Sequence, residues 1–131
     1  MRYACLIHVG PEDFPEATRD EEERFDAINR HYDEALAATN HLVLSGALAL
    51  PSAARTLRVR GGRPLVTDGP FAETREHIGG MIVIEAASLE EATELLTRSP
   101  IAGAAAFEIR EMKSLSDPDW GEWAAAAYGR K

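Results

Sequence analysis

Blocks of apolar and polar positions along the first 40 residues predict a strand followed by a helix. Residues 3–9 form a short apolar run typical of a buried strand, and Gly10-Pro11 ends it. Thr18 and Glu21 have capping-box spacing, so we expect a helix to begin there. Its apolar face repeats at helical spacing: Phe25, Ile28, Tyr32 and Leu36.

The middle of the chain predicts a second strand, a hairpin and an irregular loop. Residues 41–50 are almost wholly apolar, which predicts a strand covered on both faces. Two short alternating runs, TLRVR and RPLVT, flank Gly61-Gly62 and indicate a β-hairpin with a two-residue turn. Residues 68–80 have no regular period and predict a loop.

The last third repeats the pattern of the first. Residues 81–86 predict a strand, and Ser88 with Glu91 marks the start of a helix that Pro100 ends. Residues 105–112 alternate apolar and charged side chains, as in a half-exposed strand. Two strand–helix–strand units separated by a hairpin predict a ferredoxin-like α+β sandwich with an inserted β-hairpin.

This architecture leaves one face of the sheet without helices. The apolar run at residues 42–50 indicates that this face is also buried from solvent. A second copy of the chain is the simplest partner that could pack on it. We therefore expect a homodimer. Residues 1–113 form the predicted domain, and residues 114–131 form an extension whose Trp120 and Trp123 pack on the body or on the partner subunit.

Composition narrows the class of protein. A length of 131 residues favours one domain, and 14 basic against 22 acidic residues give a net charge of −8. Such an acidic chain is a poor match for nucleic acid or an anionic membrane surface. One cysteine excludes an internal disulfide, and neither a signal peptide nor a membrane-spanning stretch is recognisable, so we expect a cytoplasmic protein.

The sequence VTDGPFAETREHIGGMIVIEA resembles the signature of the DGPF branch of the YCII-related family. Asp68, Gly69, Pro70 and Phe71 carry the resemblance, with Gly79-Gly80 in the flanking pattern. The resemblance implies a ferredoxin-like fold that dimerises sheet against sheet into an α/β barrel. It also implies a cleft faced by a histidine and an aspartate, as in enzymes that act on small organic molecules, and a genomic link to extracytoplasmic-function sigma factors.

Asp68 and His31 are the candidate catalytic residues. A carboxylate at the end of a strand, beside Gly69 and Pro70, can face a cleft, but aspartate before glycine is equally a turn residue. His31 lies at the boundary of the apolar face of the first helix, where it either leans over a cleft or is solvated. Together they would form an acid–base pair.

Candidate substrate-binding residues are Tyr32, Phe71 and His8, and His77 either closes over the cleft or is solvated. No histidine spacing typical of a metal site occurs, and no glycine-rich phosphate loop indicates a nucleotide, so we predict neither metal nor cofactor. The first functional hypothesis is therefore a small-molecule enzyme with its cleft near the dimer interface. The alternative is a non-catalytic ligand-sensing or accessory protein linked to sigma-factor regulation.

Overall fold

The computed structural model describes residues 1–14 and 16–129. Within them, six strands and three helices follow one another, with a short 3-10 turn at Pro51–Ala53. The predicted order of strand–helix–strand, hairpin and strand–helix–strand is confirmed, and the tail adds a helix. The elements are β1 (Arg2–Val9), α1 (Arg19–Ala38), β2 (Leu42–Ala47), β3 (Arg55–Arg60), β4 (Arg63–Asp68), β5 (His77–Glu85), α2 (Leu89–Thr97), β6 (Ala106–Glu111) and α3 (Trp120–Ala127).

Four strands form one sheet in the order β2-β5-β1-β6, and every neighbouring pair is antiparallel. This is the strand order of the ferredoxin-like sandwich, so the predicted α+β class is confirmed. The core lies between the sheet and the two crossing helices. It contains Tyr3, Cys5 and Ile7 from β1, Ile82 and Ile84 from β5, Leu36 from α1, and Ala92 and Leu96 from α2.

Helix α1 begins as predicted but contacts the core over only part of its length. The Thr18 hydroxyl accepts a hydrogen bond from the Glu21 amide, and the Glu21 side chain bonds back to Thr18. Leu36 is buried and Tyr32 packs against the core, whereas Phe25 and Ile28 remain 37% and 55% exposed. The predicted apolar face is therefore buried near the end of the helix and open to solvent near its start.

The other face of the sheet carries no crossing helix. Side chains alternate along a strand, so the even positions of β1 lie opposite the core-facing Tyr3, Cys5 and Ile7. On the edge strand β2, Val43 and Leu44 are exposed. Val83 of β5, on this same face, is buried, so a single copy of the chain covers the face only in part and leaves the edge strand open.

The tail folds into α3 beside the end of β6. Ala124 is buried, and the tilted rings of Trp120 and Trp123 contact each other with centroids 4.8 Å apart. Lys113 Nζ donates to Asp119 Oδ2 at 2.7 Å, which closes the turn that leads into the helix. The last two residues of the predicted extension lie outside the described residues, and its packing on the body or on a partner stays a prediction.

The hairpin is a separate two-stranded sheet of β3 and β4. Gly61 and Gly62 both have positive φ, 57° and 75°, as a primed two-residue turn requires. The predicted hairpin and its turn are therefore confirmed. No helix among residues 1–14 and 16–129 has the length and apolar character needed to cross a membrane.

Candidate functional site

A cleft with a volume of about 1010 Å³ opens at the end of β1. His8 occupies an even position of β1, so it reaches the cleft from the helix-free face of the sheet. Four parts of the chain form the walls, and most of their side chains are apolar. They are His8 of β1, the segment between β2 and β3 (Leu48, Ala49, Pro51, Ser52, Ala54), the loop before β5 (Pro70, Phe71, Ala72, Glu73, Thr74, Glu76), and His77 and Ile78 of β5.

His8 is paired with a carboxylate from the neighbouring strand. Its Nε2 lies 2.9 Å from Oε1 of Glu108, and because a carboxylate only accepts, Nε2 carries the hydrogen. In the β1–β6 register, Leu6 is opposite Glu108 and His8 is opposite Ala106, so the pair is diagonal on one face. In the neutral ring this leaves Nδ1 as an acceptor for another group.

A β-bulge in β5 shapes the wall beside His8. Ile7 pairs with Gly80 and His8 pairs with Ile78, so Gly79 is the extra residue. A Cβ on Gly79 would lie 2.7 Å from Cγ2 of Val9, which explains the need for glycine. The Gly79 carbonyl also accepts from the Leu48 amide at 2.9 Å, so the bulge joins two walls of the cleft.

The Asp68-Gly69-Pro70-Phe71 segment, here called the signature turn, joins the hairpin to the cleft. Gly69 has φ of 107°, a conformation that favours glycine. Its amide donates to the Ala54 carbonyl at 2.7 Å, and its carbonyl accepts from the Thr56 hydroxyl at 3.1 Å. The turn is thereby held on both sides to the start of β3.

Asp68 lies at the end of β4 and outside the group of residues that line the cleft. Its side chain is 91% exposed, and its Oδ1 lies 3.5 Å from Nε of Arg55. His31 is exposed on α1. Among the described residues no hydrogen bond or ion pair joins His31 to Asp68, so a single chain does not bring the predicted catalytic pair together.

The three predicted substrate-binding residues separate into two places. His8 and Phe71 both line the cleft, and the Phe71 ring, 76% exposed, lies under the Arg58 guanidinium at 5.1 Å from its centroid. Tyr32 instead packs against the core on the helix side, where its hydroxyl donates to the Leu95 carbonyl at 2.8 Å. Burial raises the pKa of Tyr32 to about 12, which keeps that hydroxyl protonated.

Two residues of the site were not assigned to it from the sequence. Glu108 was one charged position in an alternating strand, and only the β1–β6 register places it beside His8. For His77 the sequence left two interpretations open, a residue that closes over the cleft or a solvated side chain. In the structure it lines the cleft. In residues 1–14 and 16–129, no group of three or more His, Cys, Asp or Glu side chains is arranged to hold a metal ion.

Comparison with known proteins gives the family. The sequence is similar to an uncharacterized protein of Rhizobium meliloti (strain 1021), with 34% identity over 120 residues that span 86% of this chain and 92% of the relative. Among solved structures, the chain is similar to 5-chloro-2-hydroxyhydroquinone dehydrochlorinase from Burkholderia phenoliruptrix AC1100, solved in complex with 2,5-dihydroxybenzoquinone. That likeness has a TM-score of 0.49 and 18% identity, and it covers 86% of this chain and 94% of the enzyme. The model of the YCII-related domain matches residues 1–116, so the chain belongs to the YCII-related family.

Proposed function

We propose that the chain is an enzyme that moves a proton on a small organic molecule bound in the cleft at the end of β1. The observation that carries this proposal is the His8–Glu108 hydrogen bond at the cleft wall. A carboxylate that accepts from one ring nitrogen fixes the orientation of the imidazole and leaves the other nitrogen to exchange protons with a ligand. A positioned base of this kind contributes roughly 10²- to 10⁴-fold to a reaction rate.

The walls of the cleft support a ligand that is mostly apolar. Leu48, Pro51, Phe71 and Ile78 offer apolar contact. The polar side chains that can orient the ligand are His8, Ser52, Glu73, Thr74, Glu76 and His77. A volume of about 1010 Å³ is ample for a small organic molecule. The substrate class we propose is therefore a compact organic molecule with an acidic proton.

We further propose that the enzyme acts as a homodimer with the helix-free face of the sheet at the interface. The apolar side chains of β2 support this, because a single copy leaves Val43 and Leu44 partly exposed to solvent. The cleft opens on the same face, so a second copy would border it. Asp68 and His31 stay a predicted pair that would have to meet between copies.

Proton exchange tests the function without a known substrate. Small carbonyl compounds, phenols and carboxylic acids are incubated with the protein in D2O, and NMR follows the loss of each substrate proton. We expect catalysed exchange for at least one compound class and a fall of about 10²-fold or more in His8→Asn. The matched control is His31→Asn, which removes an exposed imidazole that is not part of the cleft lining.

Each outcome of this experiment has one meaning. Exchange lost in His31→Asn and Asp68→Asn but kept in His8→Asn would replace our proposal with the Asp68–His31 pair. Saturable binding to the His8 side chain, seen by NMR, without exchange of any compound would favour the ligand-sensing alternative. Absence of both binding and exchange across the compound classes would contradict a small-molecule site.

A further inference from the structure

One face of the β3–β4 hairpin is apolar over most of its length and open to water, with the Arg55–Asp68 pair at the end away from the turn. Leu57 pairs with Val66, and Val59 pairs with Pro64, so these side chains share one side of the ribbon. Leu57, Val59 and Val66 are 63%, 64% and 58% exposed. We call Leu57, Val59, Pro64 and Val66 the apolar hairpin face. A two-stranded ribbon is marginally stable alone in water, so we expect another protein surface to pack on this face.

The hairpin is also the basic part of an acidic chain. Residues 55–68 contain four arginines and one aspartate, a net charge of +3, which leaves −11 for the rest of a chain with net charge −8. Arg60 and Arg63 flank the Gly61-Gly62 turn, so they lie at the tip of the ribbon. A covering surface that is both apolar and acidic would match both properties of the hairpin.

The start of α1 has both properties. Residues 20–28, here called the acidic helix start, contain five acidic residues and one arginine, a net charge of −4. The same stretch exposes Phe25 and Ile28, and the Phe14 ring packs edge-on against Phe25 at 6.2 Å. The hairpin and the acidic helix start are both exposed in one copy of the chain, so they do not cover each other within it.

We propose that the hairpin of one copy lies on the acidic helix start of a second copy. The apolar hairpin face packs on Phe25 and Ile28, and the long side chains of Arg60 and Arg63 reach round the tip to the carboxylates. Six-residue strands extend the ribbon about 20 Å, enough to cross to another molecule. In a two-fold dimer the contact forms twice, so both hairpins and both helices are covered.

Cross-linking between two single-site variants tests the contact directly. Leu57→Cys and Ile28→Cys proteins, one of them labelled with 15N, are mixed and treated with a short bis-maleimide. Cys5 is buried, so its thiol is shielded from the reagent. We expect the mixed cross-linked species, identified by mass, to exceed its yield in the control mixture of Leu57→Cys with Leu89→Cys, which offers an exposed position on α2.

Charge reversal tests the electrostatic part. In sedimentation experiments we expect Arg60→Glu/Arg63→Glu to weaken self-association about ten-fold, and a further Glu22→Arg/Asp26→Arg change to restore it. Arg98→Glu, a charge reversal at the exposed residue that follows the last turn of α2, is the control and should leave association unchanged.

The results separate this contact from the homodimer proposed above. A dimer that ignores the hairpin reversals and cross-links no better than the Leu89 control would overturn the hairpin contact and leave the sheet-face dimer standing. A monomer of about 14.3 kDa at about 100 μM, where an interface of ordinary size is saturated, would overturn both. Neither result by itself decides whether the cleft exchanges protons, because the D2O experiment measures that activity separately.

Discussion

The imidazole of His8 and the carboxylate of Glu108 meet at 2.9 Å, although the two residues are 100 positions apart in the chain. They lie on the neighbouring strands β1 and β6, where the sheet fixes their separation. An acid–base group placed this way depends on backbone pairing and does not depend on a mobile loop. Its orientation therefore persists without a ligand, and it can be measured in the free protein.

The tautomer of His8 provides the first prediction. In the neutral imidazole, the ring proton is expected on Nε2, with a 1H–15N correlation visible because Glu108 shields that proton from exchange with water. In Glu108→Leu the carboxylate is gone, so this correlation should broaden or disappear. Glu111→Leu, a change of the same kind on the same strand, should preserve it. An unchanged spectrum in Glu108→Leu would contradict the pairing.

Cys5 is predicted to be unreactive in the folded protein. Burial raises the pKa of its thiol to about 11, and the thiolate is the form that reacts with disulfide reagents. We expect slow labelling of the native chain at mildly alkaline pH and fast labelling in denaturant. Ile28→Cys, with a thiol at an exposed position, supplies the fast native control.

The same shift makes stability depend on alkaline pH. The unfolded thiol loses its proton from about pH 9, whereas the folded thiol keeps it to about pH 11. Between these values the folded state binds more protons, so the free energy of unfolding should fall as pH rises. Cys5→Ala should remove this part of the pH dependence, as followed by urea denaturation at several pH values.

Gly79→Ala is predicted to destabilise the fold. The new Cβ would meet Val9 Cγ2 at 2.7 Å, and Val9 is branched at Cβ and cannot turn aside freely. Overpacking of this kind costs about 1–3 kcal/mol. Gly103→Ala has no neighbour within 4 Å of the added atom and should leave the urea midpoint nearly unchanged. Equal midpoints for the two variants would show that the bulge does not need glycine.

The stability of the tail is expected to depend on pH because of the Lys113–Asp119 pair. The hydrogen bond from Lys113 lowers the pKa of Asp119 below its ordinary 3.8, and the same bond raises the pKa of Lys113 above its ordinary 10.5. The aspartate's contribution to stability is present above pH 3.8 and is lost as pH falls through the folded value. The lysine's contribution is present below pH 10.5 and is lost as pH rises through its folded value.

Tryptophan fluorescence measures this response, because Trp120 and Trp123 lie in the helix that Asp119 precedes. When tryptophan fluorescence is plotted against pH, Asp119→Asn should weaken the change seen at acid pH. Glu122→Gln, on the same helix, should leave that change as it is in the unaltered protein. A curve for Asp119→Asn that superimposes on the unaltered protein would mean that the pair does not stabilise the tail.

The fold was predictable from the sequence because its signals are local. Each signal depends on only a few neighbouring residues. Examples are the Thr18–Glu21 capping box, the Gly61-Gly62 turn, and the helical and alternating spacings of apolar residues. The extent of burial was not predictable in the same way. Phe25 and Ile28 have the spacing of core residues, yet tertiary contacts bury the apolar face of α1 only near its end.

The candidate site was predictable in part for the same reason. His8 and Phe71 could be named as cleft residues from strand alternation and from the family resemblance. Glu108 could not, because its partnership with His8 depends on the register between strands 100 residues apart. Asp68 stood out by its motif, but the motif does not reveal that its carboxylate is largely exposed and lies near Arg55 on the paired strand.

The signature turn makes the hairpin and the cleft one mechanical unit. Gly69 is bonded to Ala54 and Thr56 at the start of β3, and Pro70 and Phe71 directly after it form part of the cleft wall. A rotation of the hairpin would therefore carry that wall with it and change the width of the cleft. A contact that holds the hairpin in one orientation would then also limit the size of the molecules that the cleft admits.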